Sequence, residues 1–155
     1  MSTTNQAGKL LGIDHGIKRI GLAVSDLSRM VARELTIIKR QSRREDFDRI
    51  NHIAAEQQVI GVVVGVPLDD SAPEGSYTQA DTVRLWAERY AATTDLPVLL
   101  WDEQLSSEEA EEIARTKKRK PRDPIDDLAA RVILQRYLDA LYDGQTTFPQ
   151  QGENA

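Results

Sequence analysis

KLLGIDHGIKRIGLAVS, residues 9–25, decides how the rest of the chain is read. Residues 9–14 form a short apolar run that ends in an acid, Asp14. After the turn His15-Gly16-Ile17-Lys18, residues 19–25 alternate large and small side chains in the manner of a strand. Two such runs around a glycine-containing turn predict an antiparallel hairpin. Residues 32–39, with Leu35, Ile37 and Ile38, predict a third strand. Beyond it the period changes. Phe47, Ile50, Ile53 and Ala54 recur at helical spacing, which predicts a helix over 43–58 capped by Ser42. Residues 59–66, VIGVVVGV, are almost continuously apolar, as expected of a strand buried on both faces, and Pro67 ends the run.

The second half continues the alternation. A polar loop over 68–75 leads to a helix over 76–92, with Ala80, Val83, Leu85, Ala87 and Tyr90 among its apolar positions. PVLLW, residues 97–101, predicts another buried strand, followed directly by Asp102 and Glu103. Ser106 with Glu109 forms a capping-box start for a helix through Arg115. A basic loop closed by Pro121 and Pro124 precedes a last helix over about 125–142. Its apolar stripe is Ile125, Leu128, Ala129, Val132, Ile133, Tyr137, Ala140 and Leu141. The order β-β-β-α-β-α-β-α-α predicts an α/β fold: a mixed five-stranded sheet, its first three strands antiparallel, with helices on both faces. That is the layout of the RNase H-like fold.

A chain of 155 residues suits one domain, expected over 9–142, between a flexible leader, 1–8, and a flexible tail, 143–155. The absence of cysteine excludes a disulfide framework, thiolate zinc sites and a cysteine nucleophile, and fits a cytoplasmic location. No run approaches 18 apolar residues and residues 1–8 lack an apolar signal core, so no membrane association is expected. The net charge of −5 rules out a basic field over the whole protein. The charge is nevertheless segregated. Arg115, Lys117, Lys118, Arg119, Lys120 and Arg122 follow one another without an acid between them, just after Glu108, Glu109, Glu111 and Glu112.

Acids fall at three element ends: Asp14 closes the first strand, Asp102 and Glu103 follow the fifth, and Asp126 and Asp127 open the final helix. In a sheet of this kind the first strand is central, and these ends can converge on one edge. Two carboxylates 4 Å apart repel by about 4 kcal/mol at an effective dielectric near 20. Divalent cations remove that cost, and Mg²⁺ and Mn²⁺ prefer oxygen ligands. Two such ions, roughly 3.5–4 Å apart, can clamp the attacking and leaving oxygens of a phosphodiester. Each acid also has a structural reading. Asp14 ahead of Gly16 suits an Asx turn, and Asp102 and Glu103 suit an exposed loop. Asp123 as a cap, Pro124 in the first helical position, and Asp126 and Asp127 on the helix dipole account for the last cluster without chemistry.

Four segments carry a family resemblance. GIDHGIKRIGLAVSD (12–26), VVGVPL (63–68), WDEQLSS (101–107) and IDDLAARVILQRY (125–137) are similar, in order and at matching spacing, to the motifs of the YqgF family, also called RuvX-like. The resemblance spans about residues 9–141. It implies an RNase H-like fold and a metal-dependent nuclease acting on structured nucleic acid. The expected reaction is 5′-end processing of precursor 16S ribosomal RNA, alone or on ribosomal precursor particles. Resolution of branched DNA such as Holliday junctions is the alternative activity. By motif, the catalytic acids are Asp14, Glu103 and Asp126, which with Asp102 supply the ligands for Mg²⁺ or Mn²⁺. Either Asp102 or Glu103 can be the inward acid, since neighbours on a strand face opposite ways. Gln104 stands where the family usually has Arg, which removes a fixed cation from beside the acids.

Lys18 and Arg19, in the hairpin turn beside the expected metals, are candidate phosphate contacts. So are Lys117, Lys118, Arg119, Lys120 and Arg122, which run into the Asp126 helix; such contacts position a backbone without reading its sequence. His15 reads as a solvated turn histidine, His52 as an ordinary helix residue, and Trp86 and Trp101 as core or groove wall. The Asp-x-Gly hairpin also resembles the phosphate loop of sugar kinases and actin-like ATPases, but those fold as two related domains and this chain has room for one. A non-catalytic factor that binds ribosomal RNA is a third reading, in keeping with Gln104 and the net acidity. The sequence leaves a monomer or a weak homodimer open.

Overall fold

β1 (Lys9–His15) is the axis about which the other elements are placed. The computed structural model describes residues 8–68, 73–103 and 107–149, with the side chains of residues 103, 107 and 108 outside the description. β1 pairs antiparallel with β2 (Arg19–Ser25), which pairs antiparallel with β3 (Ala32–Lys39). On its other side β1 pairs parallel with β4 (Val59–Pro67), and β4 pairs parallel with β5 (Val98–Glu103). The sheet order β3-β2-β1-β4-β5 therefore puts β1 in the middle. The helices are α1 (Arg43–Gln57), α2 (Gln79–Ala91), α3 (Ser107–Thr116) and α4 (Asp126–Tyr142). The mixed five-stranded α/β architecture expected from the element order is the one observed.

Two apolar layers sandwich the sheet. On one face Leu11, Ile13, Ile20, Leu22, Val62 and Val64 meet Phe47 and Ile50 of α1 and Val83, Trp86 and Tyr90 of α2. On the other, Leu10, Ala23 and Val63 meet Ala130, Leu134, Tyr137 and Leu138 of α4. Two glycines let α4 approach the second face. A Cβ on Gly12 would lie 2.7 Å from Leu134 Cβ, and one on Gly21 only 1.8 Å from the carbonyl oxygen of Asp126. With α1 and α2 on one side and α4 on the other, Asp14 and His15 at the end of β1 face opposite layers.

Element ends differ from the sequence expectation where tertiary bonds take over. Ser42 caps α1 as expected, accepting from Glu45 N at 3.1 Å. α2 starts three residues later than expected, because Thr78 and Asp81 form a reciprocal capping box. β5 runs two residues past Trp101, held by pairing of Asp102 with Val66 and Glu103 with Pro67. Asp123 does not cap α4. Its carboxylate accepts from Lys120 N at 2.8 Å, and the N-cap is Ile125, without a side-chain bond. The expected Ser106 cap of α3 lies outside the described residues. Residues 143–149, expected within a flexible tail, return to the sheet: Phe148 packs on the second apolar layer, and Thr147 O accepts from the Tyr137 hydroxyl at 3.3 Å. No helix among the described residues is long and apolar enough to cross a membrane.

Candidate active site

The register of the hairpin brings the first-strand acid to the start of α4. Asp14 pairs across the strands with Gly21, and Gly21 is the residue on which the Asp126 backbone sits. Asp14 and Asp126, far apart in the chain, thus meet at the C-terminal end of the central strand. Burial, reinforced by the nearby negative charge of Asp126, pushes the Asp14 carboxyl up to about 6. Arg19 donates from Nε to Asp126 Oδ1 at 3.0 Å. This bond fixes one oxygen of Asp126, so Arg19, expected to contact phosphate, is first a partner of the acid.

Strand alternation separates the two neighbours at the end of β5. Leu99 and Trp101 pack in the layer beside α4, whereas Val98 packs in the layer of α1 and α2. Asp102 goes with Val98: its carboxylate accepts from Arg84 of α2 at 3.2 and 3.3 Å. The structure therefore places Asp102 apart from Asp14 and Asp126. Glu103 lies on the strand, but its side chain, like Gln104 altogether, falls outside the described residues. Among the described residues no group of three acids or histidines is assembled. The donor set that is assembled is all carboxylate oxygen. Its mutual repulsion is what a hard divalent cation relieves, so the residues present fit Mg²⁺ or Mn²⁺.

The cations sort into two groups. Lys117 binds Glu34 at 2.8 Å, and Arg119 makes a two-pronged contact with Asp127, Nη1 to Oδ1 at 2.7 Å and Nη2 to Oδ2 at 2.9 Å. Both tie the basic loop to the sheet and to α4 and are engaged in holding it. Lys118, Lys120 and Arg122 are exposed and, among the described residues, without an ion pair, as is Lys18 in the hairpin turn. Lys118 adopts a left-handed backbone (φ 60°), which turns the loop out of α3.

His15 departs from the sequence reading. It is not a solvated turn residue but is buried, with its ring 4.7 Å from that of Trp86 and neither nitrogen hydrogen-bonded among the described residues. Burial, with the Arg40 charge, drops its pKa to about 4, so the ring is neutral. Trp86 is core, and Trp101 packs edge-on against Tyr137. Sequence reasoning missed Glu34, which receives both Lys117 and Arg131; Arg131 lies 97 positions along the chain, and no local pattern announces such a pair. It also missed Arg119 as the partner of Asp127, although eight residues separate them.

A family model described as RuvX, Holliday junction resolvase, matches residues 8–140. A protein of Thermoanaerobacter pseudethanolicus named "Putative pre-16S rRNA nuclease" is 39% identical over 136 residues, covering 85% of this chain and 96% of that protein. A protein of the same name from Bradyrhizobium is 38% identical over 154 residues, covering 96% and 90%. Among solved structures, Thermus thermophilus RuvC in complex with a Holliday junction substrate superposes with a TM-score of 0.56 at 18% identity, covering 90% of this chain and 97% of that one. Fowlpox virus resolvase with Holliday junction DNA gives 0.53 at 12%, covering 86% and 98%. At these identities the structural likeness establishes the fold, which is shared with junction resolvases. The sequence match covers most of the chain, and on that ground the chain belongs to the RuvX family.

Proposed function

We propose that this protein is a metal-dependent endonuclease that hydrolyses phosphodiesters in structured nucleic acid, with the 5′ region of precursor 16S ribosomal RNA as its substrate. The observation that carries the reading is the meeting of Asp14 and Asp126 at the end of the central strand, with the Asp14 carboxyl pushed to about 6. The relatives named for pre-16S ribosomal RNA supply the substrate. Asp14, Glu103 and Asp126 would hold Mg²⁺ or Mn²⁺. When bound, a pair of such ions supplies Lewis-acid activation of water and neutralises charge on the scissile phosphate.

The chain's own residues do the rest. Arg19 holds Asp126 in one orientation, as partners of metal-binding side chains do. Lys18, Lys118, Lys120 and Arg122, without an ion pair among the described residues, offer cations to the flanking phosphates, and Lys117 and Arg119 keep the loop in place. The family description favours a second substrate, branched DNA. Both readings place the protein with nucleic acid in the cytoplasm, as a monomer or weak homodimer.

The test is purified protein on a precursor 16S RNA fragment and on a synthetic four-way DNA junction, each with Mg²⁺, with Mn²⁺ and with chelator. Metal-dependent cutting of the RNA that disappears in Asp14→Asn is the expected result. Cutting of the junction alone would move the substrate to DNA. Binding without cutting of either would leave a non-catalytic RNA-binding factor.

A further inference from the structure

The opposite face of the sheet carries a second polar feature at the same strand end. A cavity of about 370 Å³ is lined by His15, Arg40, Arg43, Tyr77, Trp86 and Arg89, together with Thr82 and Leu85. Its contributors come from the end of β1, the start of α1 and the body of α2, with Tyr77 just ahead of the α2 cap. Three guanidinium groups line one cavity, and no acid is among its lining residues. Arg40 is committed in part: Nη1 donates to the carbonyls of Gly16 and Ile17, and Nε lies 3.8 Å from Asp46 Oδ2. Arg43 and Arg89 have no ion pair among the described residues.

Below the arginines the cavity is floored by two buried rings. His15 and Trp86 are more than nine-tenths buried, and both His15 nitrogens and Trp86 Nε1 are closed off from solvent without a hydrogen-bond partner among the described residues. Their touching rings, 4.7 Å apart, form the floor of a cavity rimmed by arginine. Guanidinium forks match phosphate oxygens in pairs, and an apolar wall with a few polar groups, at this volume, is the form of a small-ligand site. Tyr77, largely exposed, supplies an aromatic face at the rim.

We infer that this cavity binds a nucleotide unit, its phosphate on Arg43 and Arg89 and its base or sugar against Tyr77 and Trp86. The unit is either a free nucleotide or one residue of a nucleic-acid strand. The acids at Asp14 take no part, because they face the other layer, so the site stands or falls independently of the nuclease reading.

Calorimetry of the full chain in chelator at low salt, with adenosine 5′-monophosphate, adenosine and a single-stranded pentanucleotide as probes, tests it. The expected result is binding of the monophosphate but not of adenosine. In Arg43→Gln/Arg89→Gln, whose replaced side chains have no ion pair among the described residues, binding weakens by about tenfold or more. A pentanucleotide that binds more tightly than the monophosphate through the same two arginines assigns the site to a strand, and the reverse order to a free nucleotide. Asp14→Asn retains the binding, and the double arginine variant retains any rise in melting temperature caused by Mn²⁺, which separates failure here from failure of the metal site. Equal affinity in wild type and double variant, or no binding of either phosphate-bearing probe, overturns the inference.

Discussion

Arg19 reaches from the first residue of β2 to the first residue of α4 and donates to Asp126 Oδ1 at 3.0 Å, across 107 positions of sequence. The bond closes on the acid beside Asp14 and sets how Asp126 presents its other oxygen. Removal of such supporting partners typically costs roughly 10- to 100-fold in metal affinity or activity. Arg19→Gln is therefore expected to lower nuclease activity in that range, and to lower Mn²⁺ affinity in parallel. Activity measured at saturating metal separates the two: recovery there assigns Arg19 to positioning, and persistent loss adds a contact to substrate.

Asp14 and His15 make opposite contributions to stability over one pH range. Asp14 is pushed from 3.8 up to about 6, so the fold holds its proton more tightly than the unfolded chain does. Its contribution is present below about 4 and is lost as pH rises through 6. His15 is pushed from 6.5 down to about 4, so its contribution is present above 6.5 and is lost as pH falls toward 4. Shifts of this size correspond to at most roughly 3–3.5 kcal/mol each. Relative to wild type, metal-free Asp14→Asn should gain stability at pH 8 and lose that advantage by pH 4. His15→Phe should gain at pH 4 and not at pH 8. Urea titrations at pH 4, 6 and 8 check both signs.

A divalent cation should reverse the penalty at Asp14. At a free concentration 100 times its dissociation constant, a ligand specific for the folded state stabilises by about 2.7 kcal/mol. Mn²⁺ is thus expected to raise the melting temperature at pH 7.5, and to do so progressively less below pH 6, where Asp14 takes up a proton. Glu103→Gln and Asp14→Asn should each suppress the shift. An undiminished shift in both variants would remove these carboxylates as ligands.

Gly21→Ala tests the seat of α4. The added carbon would sit 1.8 Å from Asp126 O and 2.2 Å from its carbonyl carbon, backbone atoms that cannot swing away. The helix start must move or the hairpin must bend, at a cost of about 1–3 kcal/mol or more. Activity should be lost while the protein still folds, because the layer of α1 and α2 is untouched. Circular dichroism alongside the cleavage assay shows whether folding and activity part company.

Arg119 and Asp127 form the other fixed point of α4. Their side chains are largely buried and joined by two bonds, and Asp127 Oδ1 also accepts from Leu128 N. Breaking a buried pair by removing one partner costs up to 3–5 kcal/mol, and partial exposure brings the expected loss for Arg119→Ala to about 2–3 kcal/mol. A double-mutant cycle with Asp127→Ala should return a coupling of about 1–3 kcal/mol.

How far the sequence could be read followed the range of the interactions. The hairpin, the buried run of β4 and the α4 stripe are local patterns, and their elements appear within a residue or two of the expected ends. Asp14 and Asp126 were legible because acids at strand and helix ends are visible in one dimension, and the family motifs mark both. The choice between Asp102 and Glu103 was not legible from spacing; it depends on how far β5 runs and which layer Trp101 joins, and Arg84 then accounts for Asp102. His15 failed for a related reason. A histidine two residues past Ile13 looks like turn, but the strand continues to it and its parity carries it into the layer with Trp86. Phe148 is a lone aromatic in a polar stretch, and nothing nearby in sequence signals that Gly61 leaves a place for its ring.

Gly8 and Phe148 meet β4 at neighbouring positions, Ile60 and Gly61, where that strand begins. Asp14 lies toward the far end of the adjacent strand, about 20 Å away at roughly 3.3 Å per residue. The polypeptide therefore passes into and out of the sheet at one pole while its acids gather at the other. A fluorophore, affinity handle or surface tether attached at position 8 or 148 is carried on the side remote from the carboxylates. Immobilised or labelled protein should accordingly leave the Asp14 and Asp126 end open to a bulky polynucleotide, which makes single-molecule cleavage measurements on this chain practicable from either attachment.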